Sequence, residues 1–103
     1  MKNVLLVLVV MLISFSTFSK EVIVEIYKKK FSPAKVIVAK GDTVIWKNIE
    51  KRQYHNVWFK QLIKEEPEYI FPGESYQMTF NDEGEFSYLC GPHPKMVGTV
   101  IVN

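Results

Sequence analysis

Short runs of alternating apolar and polar positions recur along most of the chain, which is the period of β-strands. Residues 21–27 alternate around β-branched side chains and end at the charged run Lys28-Lys29-Lys30. Residues 35–38 follow Pro33, Lys40-Gly41-Asp42 reads as a turn, and residues 43–47 form the next strand. Further strands are expected over residues 54–59, 75–80, 85–90 and 97–102, with Pro72-Gly73 and Asn81-Asp82-Glu83-Gly84 as turns. Residues 61–66 could form one short helical turn before Pro67, and no long helical period exists. Seven to eight short strands at this spacing predict an all-β fold, an antiparallel sandwich with Trp46, Trp58, Phe80 and Phe86 in its core. The three lysines at 28–30 read as a solvated strand end, since charge protects sheet edges from pairing.

The first residues do not fit that pattern. Lys2 precedes an unbroken apolar run over residues 4–13, followed by Ser14-Phe15-Ser16 and Thr17-Phe18-Ser19. A basic start, a short apolar stretch and small residues at the cleavage positions are the marks of a secretory signal peptide. The apolar stretch is too short to span a bilayer as an anchor. Residues 1–19 are expected to be a leader cut after Ser19, with the site after Ser16 as the alternative, and residues 20–103 a single domain. An exported, periplasmic protein follows, with membrane-tethered or extracellular placement as the alternatives.

Composition then narrows the chemistry. The 103 residues include 13 basic and 11 acidic side chains, two histidines and one cysteine. A formal charge of +2 is too small for a dedicated nucleic-acid binder. One cysteine excludes a disulfide framework and any zinc site needing two thiolates. A lone thiol in an oxidising compartment is expected to be buried, ligated or both.

That cysteine opens the segment Cys90-Gly91-Pro92-His93-Pro94-Lys95-Met96, which spaces a thiolate, an imidazole and a thioether at intervals of three. Period two places Phe86, Tyr88 and Cys90 on one face of the preceding strand. Pro92 and Pro94 fix two φ angles around His93 and lower the entropy cost of a ligating loop. The other imidazole is His55. Two nitrogens, one thiolate and a weak axial thioether make the trigonal site of blue copper proteins, which accepts both Cu(I) and Cu(II).

With these residues in place the chain resembles the cupredoxins, in their amicyanin and plastocyanin branch. The Cys-x-x-His-x-x-Met interval and the Pro-His-Pro core are most similar to amicyanin. Phe31-Ser32-Pro33, the stretch 36–48, His55-Asn56-Val57, the stretch 84–90 and Met96-Val97-Gly98-Thr99-Val100 match the family's strands and ligand segments in order. The resemblance implies a Greek-key β-sandwich and one copper ion. His55, Cys90 and His93 would be its equatorial ligands and Met96 the long axial one. In the family the asparagine at the position of Asn56 donates its backbone amide to the cysteine sulfur and ties the two ligand loops together. Pro92 lacks an amide where some relatives supply a second such bond, so one bond is expected.

The resemblance further implies a shuttle of single electrons through the exposed edge of His93. The docking patch would comprise Pro92, His93, Pro94 and Lys95, and Lys51 and Arg52 would help to steer an acidic partner. Partners would be redox proteins such as a c-type cytochrome, a dehydrogenase or a terminal oxidase or reductase, with no nucleic acid, no small-molecule substrate and a monomeric state. Two departures stand out. Gly91 replaces a residue that often carries a hydroxyl, which puts a side-chain tether from Asn56 to that loop in doubt. Tyr54 stands before His55 where relatives often have a smaller residue, and would shield the metal or reshape the partner surface. The segment 61–69 matches no motif.

A thiol hydrolase built from Cys90 and a histidine is disfavoured, since no third orienting group is visible and the domain is small for a substrate cleft. Zinc is disfavoured by the methionine. The alternative function is periplasmic copper storage, delivery or tolerance. Exposed methionine or histidine clusters would favour it, and residues 20–103 have none.

Overall fold

The computed structural model describes residues 18–103. All but the last two residues of the expected leader lie outside the described residues. Seven strands follow: β1 (Glu21–Tyr27), β2 (Lys30–Ser32), β3 (Lys35–Val38), β4 (Asp42–Asn48), β5 (Ser75–Phe80), β6 (Gly84–Leu89) and β7 (Val97–Val102). They form two facing sheets, one ordered β2-β1-β4-β5 and the other β3-β7-β6. The architecture is the expected Greek-key sandwich.

The sheets are mixed, which corrects the expectation of purely antiparallel pairing. β1 runs parallel to β4, with Val24 beside Trp46, and β3 runs parallel to β7, with Val36 beside Val100. Parallel neighbours need a crossover. Here the chain leaves the first sheet after β2, contributes β3 to the second, and returns as β4 alongside β1.

Residues 54–59 form no strand, again unlike the expectation. His55 and Trp58 make only isolated bridges, to Ile70 and Leu89. Trp58 is half-buried, and its neighbour Phe59 takes the core position instead. Residues 61–66 form no helix. The amides of Leu62 and Ile63 both donate to Phe59 O, making one tight turn, which the Trp58 indole holds by donating to Ile63 O. The three-lysine run divides between a turn and β2, with Lys28 and Lys29 at positive φ and Lys30 opening the strand.

Alternation does place the core. Val24 and Ile26, Val36 and Val38, Val44 and Trp46, and Val100 and Val102 point inward from their strands. Trp46 from one sheet meets Phe59 and Tyr88 edge-on, and its indole N–H donates to the Tyr88 hydroxyl at 3.0 Å. This bond crosses the sandwich and satisfies a fully buried donor, whose isolation would cost about 1–3 kcal/mol. Gly98 makes room for it: a Cβ there would lie 2.8 Å from Tyr88 Cε1 and closer still to the end of the ring. Phe86, Tyr88 and Cys90 share the inner face as their spacing predicts, Phe86 at its half-buried end.

The two ends of β4 carry buried polar residues. Asp42 accepts the backbone N–H groups of Lys20 and Ala39, both at 2.9 Å, and these two bonds hold its carboxyl below the usual carboxylate range. A depressed folded pKa stabilises the protein above the unfolded value, about 4, and that contribution disappears as pH falls through the folded value. Asp42→Asn should therefore lower the melting temperature of the copper-free protein at neutral pH while flattening its decline on acidification. Melting curves of both proteins from about pH 7 to pH 2 would check this.

Candidate metal centre

The segment 49–74 between β4 and β5 and the segment 90–96 between β6 and β7 meet at one end of the sandwich. Asn48, buried at the end of β4, fixes the start of the first segment. Its side-chain amide donates to Gln53 O and Ile70 O, and its carbonyl accepts Glu50 N–H. His55 and Ile70 then exchange two backbone hydrogen bonds, at 3.2 and 2.6 Å. These contacts fix His55 from behind, with no exposed surface.

The second segment explains its own spacing. His93 N–H donates to Cys90 O at 3.1 Å, and Met96 N–H donates to His93 O at 2.8 Å. An interval of three is the closure distance of a β-turn, so Cys90, His93 and Met96 are the corners of two successive turns. Pro94 occupies the second position of its turn, where its fixed φ is favoured. Cys90 N–H donating to Met96 O at 3.0 Å closes the segment.

His55, Cys90 and His93 converge. Cys90 Sγ lies 3.7 Å from His55 Nδ1 and 3.5 Å from His93 Nδ1, and the three donor atoms all lie within 4.8 Å of one another. A trigonal ion with nitrogens at about 2.0 Å and sulfur at about 2.3 Å sets each N···S pair about 3.7 Å apart. The donor set therefore fits one small ion with little rearrangement. His55 and Cys90 are wholly buried, whereas His93 is partly exposed. Met96 is buried beneath the loop, and with His93, Pro94, Lys95 and Lys29 it lines a cleft of about 410 Å³. Pro92 is partly exposed, and Pro94 and Lys95 are exposed.

Electrostatics suit a neutral imidazole at the surface. Burial lowers the His93 pKa, the charges of His55 and Lys29 lower it further, and Glu50 opposes them. Burial pushes the Cys90 thiol up, against the backbone amides of Asn56 and His93, which pull it down, while Glu66 pushes it up.

Several functional contacts escape sequence reasoning. Glu50 Oε2 lies 3.1 Å from His55 Nε2 and accepts Lys29 N–H at 3.3 Å. It fixes the imidazole so that Nδ1 faces the sulfur. The signal available was that Glu50 is the one carboxylate between Asn48 and His55; nothing in the sequence pointed to Lys29. Asn56 does tie the loops, through a main-chain partner, because Gly91 N–H donates to its Oδ1 at 2.7 Å. Tyr54 stacks on Tyr69 at 4.5 Å and packs beside Phe71, forming an exposed aromatic patch. Lys51 and Arg52 are exposed.

Carboxylates that orient a ligating imidazole typically matter 10- to 100-fold in metal affinity. Glu50→Ala should weaken copper binding by about that factor while the copper-free protein stays folded. Competition with a chelator, together with a circular dichroism spectrum, measures both.

Known proteins share this arrangement in sequence and fold. Residues 19–103 match the family model described as copper binding proteins, plastocyanin/azurin family. Amicyanin from Paracoccus versutus is 41% identical over 85 residues, covering 79% of this chain and 64% of that protein. Plastocyanin from Tetradesmus obliquus is 36% identical over 84 residues, 70% of this chain and 57% of that protein. The chain thus spans less than two thirds of the length of either relative. The crystal structure of Paracoccus versutus amicyanin aligns with a TM-score of 0.74 at 40% identity, covering 80% of each chain. By sequence and by fold, this chain belongs to the plastocyanin/azurin family of copper-binding proteins.

Proposed function

We propose that this chain is an exported electron carrier, holding one copper ion that cycles between Cu(I) and Cu(II). The observation that carries the reading is the convergence of two imidazole nitrogens on a buried thiol at 3.5 and 3.7 Å, with one imidazole reaching the surface. His55, Cys90 and His93 would hold the ion, and Met96, buried under the same loop, would be a weaker fourth ligand. Bound there, the ion supplies reversible one-electron chemistry. The protein supplies a rigid site, which keeps reorganisation between the two states small, and a surface through which a partner couples.

That surface is the edge of His93 with Pro92, Pro94 and Lys95. Lys29, in the same cleft, adds a second cation, which suits an acidic patch on a c-type cytochrome, a dehydrogenase or a terminal oxidase. Full burial of His55 and Cys90 supports retention of the ion over its release to an acceptor protein. The chain carries electrons and transforms no substrate.

An absorption spectrum of the oxidised, copper-loaded protein is the decisive measurement. An intense visible thiolate-to-copper band that bleaches on reduction is expected, and a colourless protein with bound Cu(II) would contradict the assignment. Cys90→Ser should abolish the band, while Met96→Leu should keep it and shift the reduction potential. Fast exchange with a c-type cytochrome supports the carrier. Slow exchange with transfer of copper to an acceptor would support delivery instead.

Export also fits the N-terminal contact of Asp42. Cutting after Ser19 would make Lys20 N an α-ammonium, placed 2.9 Å from Asp42 Oδ1, and turn that hydrogen bond into an ion pair. The intact mass of protein recovered from the periplasm should correspond to a chain beginning at Lys20. A chain beginning at Thr17 would place the cut after Ser16.

A further inference from the structure

We propose that Glu66 is a positioning residue of the copper site: its carboxylate clasps Asn56 against the Cys90 loop, and its charge favours the oxidised ion. The inference rests on the copper reading above and concerns the segment 61–69, which matches no sequence motif.

Asn56 has no exposed surface, and its amide is fully satisfied. Its Oδ1 accepts Gly91 N–H at 2.7 Å, and its Nδ2 donates to Glu66 Oε2 at 2.9 Å and to Pro67 O at 3.2 Å. Asn56 follows His55 and Gly91 follows Cys90, so this amide couples the backbones beside two of the ligands. Glu66 supplies the one charged partner in the set.

Gly91 completes the case. Its φ is not in the left-handed region, so backbone conformation alone does not demand glycine. Space does. A Cβ at residue 91 would stand 2.7 Å from Glu66 Cδ, closer still to Oε2, and 3.3 Å from Asn56 Nδ2. The Glu66 carboxylate occupies the volume in which a side chain at 91 would begin.

An anion in that place has an electrical consequence. A fixed negative charge beside the loop interacts more favourably with Cu(II) than with Cu(I), and so lowers the reduction potential. Glu66 is exposed, so water and salt weaken the effect without abolishing it.

Two variants separate the clasp from the charge. Glu66→Gln keeps an acceptor for Asn56 and removes the charge. In the copper-loaded protein it should shift the Cu(I)/Cu(II) balance roughly threefold towards Cu(I), about 30 mV at 59 mV per tenfold, and less at high salt. An unchanged potential overturns the electrostatic role. Glu66→Ala removes the clasp as well. In the copper-free protein it should speed hydrogen exchange of the Gly91 amide several-fold. Gly91→Ser should lower the melting temperature of the wild type but cost much less in the Glu66→Ala background, where the serine has room. Unchanged exchange, together with an equal cost of Gly91→Ser in both backgrounds, overturns the clasp. The last two readouts need no copper, so they test the clasp even if the visible band is absent and the carrier reading fails.

Discussion

A buried primary amide must place its carbonyl and both of its N–H groups, and Asn56 does so by joining three separate pieces of chain. Its carbonyl takes Gly91, and its two N–H groups take Glu66 and Pro67. None of these segments belongs to a sheet, so no ladder of backbone hydrogen bonds sets their separation. Apart from the amide, the backbone hydrogen bonds between the His55 segment and the strand that leads into the Cys90 loop are those of the bridge between Trp58 and Leu89. Leaving such a group unsatisfied in a low dielectric costs a sizeable fraction of a small domain's stability. The distance between Cys90 Sγ and His55 Nδ1 therefore depends on a residue with no donor atom of its own in the site.

The same economy governs the other side of His55. Asn48 ends β4 on the inner face, where a strand residue should be apolar, and uses its amide to capture Gln53 and Ile70. Ile70 in turn exchanges backbone bonds with His55, and Glu50 holds the far ring nitrogen. Polar groups that would weaken a core thus become the scaffold of the loop once each one is paired. His93 needs less support, because two turns and two prolines already restrict its segment.

Sequence made the site more legible than its supports. The candidate ligands were readable because their types are scarce and their spacing has a mechanical meaning: three residues are one β-turn, and Cys90 continues the inward face of β6. The core was readable from period two wherever a strand has one buried face, as in β1, β3 and β7. The segment 54–59 misled because its apolar residues are packed by single bridges at a loop, where period two no longer decides which ring turns inward. Phe59 is buried there and Trp58 is half-exposed. The parallel pairings β1–β4 and β3–β7 were hidden because a chain's path between sheets leaves no local pattern. Glu50, Lys29 and Glu66 act through contacts between distant segments, which spacing along the chain does not register.

Charge differs between the inner side of the site and its exposed rim. Glu50 and Glu66 are bound to groups that hold the ligands, Glu50 to the His55 ring and Glu66 to Asn56. Lys29 and Lys95 line the cleft at the exposed edge with His93. In the proposed reading, the anions near the metal would offset the extra charge of an oxidised ion, and the cations at the rim would draw an acidic surface towards His93, which is partly exposed. The two carboxylates and the two lysines would then need not cancel, because each pair would face a different counterpart. Glu50 Oε2 contacts both the His55 ring and the Lys29 amide, so the turn that brings one of those cations to the rim also helps to orient a buried ligand. If partners dock at this face as proposed, a change to the Lys28-Lys29 turn should disturb docking and the orientation of His55 together, whereas a change at the exposed Lys95 side chain should affect docking alone.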